Sequence, residues 1–444
     1  MCAPSTVGAL LAFPIWDDAS VWLLLEERGV DALAASQPDR PVMGALWALL
    51  APSSGVFWTV ALAAQASLWP IFGLLAAHLW RRLFPDLDRF GAAVACLAAA
   101  PILTKVQLVT ANVALASLPS VVLAWSAALL GLAAAEGGGR ARLGAALLLL
   151  AAGVLLQEYA LAVWLALVVL LGRHAVGALD PERRRRAARI ILVTGAAGLA
   201  AYATYLGLGD WSARPDVLPT HSVPASPKRL LRVPFELASA LWQAVVGRPA
   251  AALAALAPTS PAGAASAVYG VAVAAVLVAS CGVGPGRLEP VRRPGARALG
   301  LAAALAAGLL PGLLMRRVPW DSGDGMATRY ALPVVPVAAA LVVLLAIAVV
   351  RPRFRVLPVA LIGLAAGATA VGDAWDAVRE RTWLDRLGRA LRPHVTAEGG
   401  LTVAVVALPE RTLGPRRQWE LTARLAHAWP AEQRARFWAY RAGG

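Results

Sequence analysis

Two adjacent acids, Asp17 and Asp18, are the first candidates for chemistry in this sequence. They follow an apolar run and precede a helix-like pattern, in a loop that runs from 14 to 53. An aspartate before a helix can cap its amide groups, which would explain one of the two. A carboxylate at a membrane edge can instead act as a general base towards a hydroxyl group, or hold a divalent cation. The roles are compatible, because one aspartate can cap while the other reacts.

Arg40 is the second candidate, in the sequence Asp39-Arg40-Pro41. A guanidinium group can bind a phosphate through two parallel hydrogen bonds. An arginine in this loop would therefore suit a lipid phosphate. The alternative is a surface ion pair with Asp39 or Asp31, which would contribute little to stability.

Glu158 lies in a short polar break between two apolar segments, Gln157-Glu158-Tyr159. At the outer membrane edge it would simply be part of a turn. An ionisable residue that faces the inside of a membrane bundle is instead a functional residue by default. We expect Glu158 to be an acid that supports the site.

Three further positions could bind an anionic head group. Lys105 follows an early apolar segment, and Arg329 and Tyr330 stand just before a late one. Arginine and tyrosine at such a place also serve as interfacial anchors, because each combines an apolar stem or ring with a polar tip. Both readings of these residues stay open.

The elements that must position these residues are membrane helices. The chain has 444 residues, of which 59% are hydrophobic and 15% are charged, whereas about a quarter of a soluble domain is charged. Several apolar stretches exceed the ~18 residues that indicate a spanning helix. The net charge of +15 comes from basic residues that recur between apolar segments. That distribution is typical of membrane topology and argues against a nucleic-acid partner.

The spacing predicts an all-α polytopic membrane domain over residues 1–372, with about 11 transmembrane helices. Residues 1–13 are too short to cross a hydrocarbon core of about 30 Å, so we expect the native chain to begin upstream of Met1. The spans expected after this first one are 54–80, 90–104, 110–135, 143–157, 159–172, 188–206, 265–283, 298–315, 330–350 and 356–372.

The arginines predict which loops share a side of the membrane. Strongly basic loops face the cytoplasm, and they alternate here with loops that carry acids and aromatic residues. The basic set comprises 81–89, 140–142, 173–189, 287–297 and 351–355. The outer set comprises 14–53, 207–264 and 316–329.

Two segments outside the spans have patterns of their own. Residues 234–257 have helical spacing, and we expect them on the membrane surface. Residues 373–444 are charged, and the parity of the spans places them outside the cytoplasm. We expect a small soluble α+β region there, with helices near 374–392 and 416–441 and a strand at 401–408.

The order of these motifs resembles the GT-C superfamily of integral membrane glycosyltransferases. The likeness is greatest to bacterial relatives of protein O-mannosyltransferases and lipid A aminoarabinose transferases. It rests on the acidic pair in the first outer loop, Asp39-Arg40-Pro41, the glutamate at a mid-chain helix break and Arg329-Tyr330-Ala331-Leu332-Pro333. Such relatives often carry a lysine before the mid-chain glutamate, where this chain has Gln157.

This resemblance implies a multi-pass bacterial plasma-membrane enzyme that acts on its outer face. The donor would be a sugar on a polyprenyl-phosphate carrier, and the acceptor a hydroxyl group of a glycan, lipid or protein. By the same resemblance Asp17 or Asp18 is the catalytic base or metal-site residue. The donor phosphate would bind Arg40, Lys105, Arg329 and Tyr330.

Two other classes of protein remain as alternatives. A transporter or flippase of a lipid-linked or anionic substrate would have ionisable residues near mid-membrane and broken helices in matching halves. This sequence has no matching halves, and its acids gather at one face. A non-catalytic membrane scaffold would make Asp17 and Glu158 incidental.

Overall fold

The computed structural model is built from helices. Over the part of the chain that it describes, every regular element is a helix and no strand occurs. The predicted strand at 401–408 and the predicted helix near 416–441 lie outside that part. The described residues are 25, 29–31, 40–50, 54–99, 113–137, 139–177, 180–209, 227–254, 256, 261–282, 293–315 and 329–391.

The described residues form thirteen α-helices of seven residues or more. In chain order they are α1 (Pro41–Leu50), α2 (Ser54–Leu83), α3 (Gly91–Ala99), α4 (Leu118–Ala135), α5 (Gly139–Leu156), α6 (Tyr159–Gly177), α7 (Pro181–Leu208), α8 (Pro227–Trp242), α9 (Arg248–Ala254), α10 (Pro261–Cys281), α11 (Pro294–Met315), α12 (Val335–Val349) and α13 (Val356–Leu391). Short 3-10 helices occupy Pro85–Phe90, Arg329–Val334 and Pro352–Phe354, and π-helical turns occupy Val113–Ser117 and Gln243–Gly247.

Eight helices in the described residues are long and apolar enough to cross a membrane. They confirm a multi-pass, all-α membrane protein over this part of the chain, while the total of 11 spans stays a prediction. Two further apolar helices, Pro41–Leu50 and Tyr159–Arg173, are shorter. The predicted first span, 1–13, lies outside the described residues, and the span predicted at 90–104 is described as far as Ala99.

The last helix is longer than the span predicted at 356–372. It runs without a break for 36 residues, about 54 Å at ~1.5 Å per residue. It therefore includes the separate helical stretch predicted near 374–392. The two join because no proline follows Pro358 within the helix, and the one glycine at the junction, Gly372, costs only about 1 kcal/mol.

Small residues allow α10 and α13 to pack closely against each other. A Cβ atom added to Gly363 would lie 2.6 Å from the Cα of Ala274, and one added to Gly367 would lie 2.7 Å from the Cα of Gly270. Membrane helices gain van der Waals contact where small residues let their backbones approach. This contact positions α13 along the bundle.

Polar contacts join several helix ends at one end of the bundle, which we call the basic end. Arg297, at the beginning of α11, pairs with Asp86 in the connection between α2 and α3. Arg173 of α6 donates a hydrogen bond to the carbonyl oxygen of Arg297 at 3.1 Å. Arg82 pairs with Glu136, just after α4. Three loops that were predicted to lie on the same side thus share one end of the bundle, and which side of the membrane this is stays a prediction.

Candidate functional site

At the opposite end of the bundle, Arg40, Glu158 and Tyr205 contact one another, and we call them the Arg–Glu–Tyr cluster. Nη2 of Arg40 donates to Oε1 of Glu158 at 3.4 Å. Nε of Arg40 donates to the hydroxyl oxygen of Tyr205 at 3.3 Å. The Tyr205 hydroxyl donates to the other carboxylate oxygen of Glu158 at 3.2 Å. The fold thus brings together two predicted site residues that lie 118 positions apart in the chain.

Glu158 is positioned by the break between α5 and α6. The first helix ends at Leu156 and the second begins at Tyr159. The last carbonyl groups of a helix lack partners within it. Here the Ser120 hydroxyl lies 2.9 Å from the carbonyl oxygens of Gly153 and Gln157 and can donate to either. This contact with α4 fixes the end of α5 and, with it, the backbone of Glu158.

Arg40 is positioned because α1 begins at the next residue. The amide of Gly44 donates to the carbonyl oxygen of Arg40 at 3.0 Å, and proline is favoured at the first position of a helix. Trp47 packs in a small apolar core that includes Leu156, two residues before Glu158. Its indole N–H donates to the carbonyl oxygen of Leu115 at 3.4 Å. Packing of α1 on this core therefore places Arg40 beside the break.

Tyr205 comes from the last turn of α7 and is not among the site residues predicted from the sequence. Its side chain is buried, and its ring stacks on that of Tyr202 with centroids 6.0 Å apart. A buried tyrosine hydroxyl usually has a hydrogen-bond partner. Two tyrosines three residues apart near the end of a span were the available signal, but the sequence does not show which acid they approach.

The cluster holds opposite charges largely away from water. The side chains of Arg40 and Glu158 are only 13% and 12% exposed. Burial lowers the pKa of the Arg40 guanidinium, but the Glu158 carboxylate and Tyr205 raise it by more, so its pKa lies above the ordinary value. Arg40 is therefore a permanent cation beside an acid. Its contacts of 3.3 and 3.4 Å are longer than the ~2.7–2.9 Å of strong charge-assisted hydrogen bonds.

The backbone of Arg329 and Tyr330 begins a 3-10 turn that ends at Val334. The indole N–H of Trp125 donates to the carbonyl oxygen of Pro333 at 2.7 Å and anchors this turn to α4. A Cβ atom on Gly308 would collide with Val334 and lie 3.1 Å from the carbonyl oxygen of Ala162. The turn therefore packs near the first turn of α6, the helix that begins directly after Glu158.

The other predicted site residues, Asp17, Asp18 and Lys105, lie outside the described residues. Their place relative to the Arg–Glu–Tyr cluster stays a prediction, as does a cation held by the two aspartates. Within the described residues no group of three or more His, Cys, Asp or Glu side chains could hold a metal ion.

Two buried polar atoms near the cluster have no hydrogen-bond partner in the described part of the chain. They are Oγ of Ser117, in the π turn before α4, and the amide oxygen of Gln157, next to Glu158. Buried polar groups are normally satisfied by protein, water or ligand. This end of the bundle thus combines a fixed cation, a carboxylate, a phenol and further polar groups, which could stabilise an anionic ligand and accept a proton.

Comparisons with known proteins found no match to this chain. No family model, no curated protein and no solved structure matches the chain.

Proposed function

We propose that this chain is a membrane glycosyltransferase of the GT-C type, which moves a sugar from a polyprenyl-phosphate carrier to a hydroxyl acceptor on the outer face of the plasma membrane. The observation that best supports the proposal is the contact between Arg40 and Glu158. The sequence suggested each of them separately for one site, and they lie close together at the end of the bundle opposite the basic end.

In the proposed reaction, the acceptor oxygen forms a bond to the anomeric carbon of the sugar. The bond from that carbon to the phosphate oxygen breaks, and the lipid phosphate leaves with the electron pair. Asp17 or Asp18 takes the acceptor proton as the general base. A divalent cation held by the other aspartate would supply charge stabilisation for the departing phosphate. Arg40, Lys105, Arg329 and Tyr330 bind the donor phosphate and stabilise its charge.

Glu158 and Tyr205 are positioning residues in this scheme. Each contacts a different nitrogen of the Arg40 guanidinium, so together they set its direction. A carboxylate next to a phosphate-binding arginine also offsets part of the buried positive charge when the donor is absent. The hydrogen bonds of Arg40 are long. Such bonds fit a guanidinium group whose direction is set by its neighbours and which can still shift towards a phosphate.

The location of the cluster favours a transferase over a transporter. A transporter binds its substrate near the middle of the membrane. The Arg–Glu–Tyr cluster instead lies at helix ends: Arg40 precedes α1, Glu158 lies between α5 and α6, and Tyr205 is in the last turn of α7.

Sugar transfer from a polyprenyl-phosphate sugar, measured with purified protein in nanodiscs, tests the proposal. Release of free polyprenyl phosphate reports cleavage, which a flippase or scaffold would not cause. Of the variants Asp17→Asn and Asp18→Asn, the one that removes the base or metal-site residue should lose roughly 100-fold in turnover. The other should lose about 1 kcal/mol of stability as a missing helix cap and keep its rate. The proposal fails if a panel of donor sugars yields no cleavage, or if both variants retain wild-type turnover.

The outer-face assignment has a test of its own. A membrane-impermeant thiol reagent, applied to intact cells, should modify Thr220→Cys and leave Arg184→Cys unmodified, because the arginine count places 173–189 in the cytoplasm. Permeabilised cells provide the control, since both positions should then react. The reverse pattern in intact cells would contradict the topology and the outer-face mechanism with it.

A further inference from the structure

The described part of the loop 207–264 crosses the bundle instead of running along it. Helix α8 packs on α11, the π turn 243–247 packs on α12, and α9 packs on α13. A segment that meets three different spans in succession must run across them. Ala252 of α9 meets Ala365 and Ala368, which lie in the last turns of the span that ends at Gly372. The crossing is therefore near the end of that span away from Arg355.

One face of α8 is attached to the bundle. Val233 and Ala240 are buried in the main apolar core. They are seven residues apart, which is close to two helical turns, so they mark a single face.

The opposite face of α8 is apolar and exposed. Leu231, Phe235 and Trp242 are 73%, 78% and 61% exposed. Their spacing of four and seven residues aligns them in one stripe along the helix. Exposed apolar residues are ordinary when scattered, whereas three large ones in a stripe mark a contact surface.

A polar row runs beside this apolar stripe. It contains Arg232, Glu236 and Gln243, each of which comes one residue after a residue of the stripe. Ser239 continues the same row. One residue corresponds to about 100° around a helix, so the polar row lies on the flank between the exposed stripe and the attached face. The helix thus has an attached face, an exposed apolar face and a polar flank.

We propose that α8 is an interfacial helix whose apolar stripe inserts into the lipid at this end of the bundle. A helix in a segment that crosses the spans and meets the last of them near its end, with an exposed apolar face and a polar flank, fits the boundary between acyl chains and water. Trp242 is of the type that is enriched at this depth. The basic residues of its first turns, Lys228, Arg229 and Arg232 against the single acid Glu236, suit anionic phospholipid head groups.

The occupant of the stripe can be identified with spin labels at two positions of the same helix. Phe235→Cys places a label in the stripe, and Arg232→Cys places one in the polar row as the matched control. Both are made in a chain in which Cys2, Cys96 and Cys281 are replaced by alanine, and the protein is reconstituted in nanodiscs of phosphatidylcholine and phosphatidylglycerol. Power-saturation spectra then compare collisions with apolar oxygen and with a water-soluble nickel chelate.

The label at 235 should collide several-fold more with oxygen, relative to the nickel chelate, than the label at 232. Equal access of both labels to the nickel chelate would overturn the proposal, because the stripe would then face water. Shielding of the 235 label from both reagents would also overturn it, since a protein surface, such as a second copy, would then cover the stripe. Leu231→Cys should repeat the result for 235, and chromatographic and circular-dichroism profiles matching the parent exclude misfolding as the cause.

Discussion

The two ends of the bundle use the same pair of groups, an arginine and a carboxylate, in different ways. At the basic end, Nη1 of Arg297 donates to both carboxylate oxygens of Asp86, at 2.9 and 3.0 Å. The guanidinium also lies over the ring of Phe84, 5.3 Å from its centroid. In the Arg–Glu–Tyr cluster the contacts are longer, at 3.2 to 3.4 Å, and two different nitrogens of Arg40 take part.

The ion pair with the longer hydrogen bonds is also the more deeply buried one. The side chains of Arg297 and Asp86 are 17% and 30% exposed, so the better-made pair is also the better hydrated one. Arg40 and Glu158 combine deeper burial with weaker geometry. A buried ion pair with imperfect hydrogen bonds contributes little to stability, which makes Asp86–Arg297 the structural clamp and Arg40–Glu158 the better candidate for function.

Removing the acid at each end should separate the two pairs most clearly. Glu158→Ala removes a counter-charge from the buried Arg40 cation, which should cost about 3–5 kcal/mol of stability. The matched variant, Asp86→Ala, should cost about 1 kcal/mol, because the Asp86 carboxylate is 30% exposed and water can enter the place it leaves. Thermal unfolding in one detergent measures both. Equal losses in the two variants would show that the clusters do not differ in burial or in role.

Substitution of Tyr205 in the cluster should reduce stability by less than substitution of Glu158. Tyr205→Phe removes the hydroxyl that accepts from Arg40 and donates to Glu158, and hydrogen bonds to charged groups contribute about 1.5–3 kcal/mol. Because these contacts are long, we expect a loss near the lower value. Tyr202→Phe, one turn earlier, is the control and should change stability by less than about 0.5 kcal/mol. In the transfer assay Tyr205→Phe should also raise the KM for the donor, and an unchanged KM would contradict its role in positioning Arg40.

The helices of this fold could be predicted from the sequence because their signal is local. Apolar length and polar breaks such as Gln157-Glu158 depend on neighbouring residues alone, and the helical spacing near 234–257 is described as helix up to Ala254. The sequence does not predict the continuity of α13, because a change from apolar to charged residues resembles the end of a membrane helix. A helix can leave the membrane without ending, because its backbone hydrogen bonds are the same whether its side chains face lipid or water.

The candidate site was only partly predictable for a related reason. Arg40 and Glu158 could be chosen one by one, because each is a charged residue beside an apolar segment. Their contact with each other and with Tyr205 depends on how α1, α5 and α7 pack, which no local pattern encodes. The roles of Asp17, Asp18 and Lys105 remain predictions for the experiments on sugar transfer.

Lysine substitutions provide the finest test of the difference between the two ends. At the basic end a single nitrogen of Arg297 makes both contacts to Asp86, so the one ammonium group of Arg297→Lys can replace it. An ammonium group can also lie over the Phe84 ring, so stability should fall by less than about 0.5 kcal/mol. In the cluster, Nε and Nη2 of Arg40 reach different partners, and a lysine has no second nitrogen with a fixed direction. Arg40→Lys should therefore cost about 1 kcal/mol and raise the KM for the polyprenyl-phosphate donor, while Arg297→Lys leaves that KM unchanged. If the two lysine variants behave alike in both measurements, the two nitrogens of Arg40 have no separate roles. Glu158 and Tyr205 would then not act as positioning residues for Arg40.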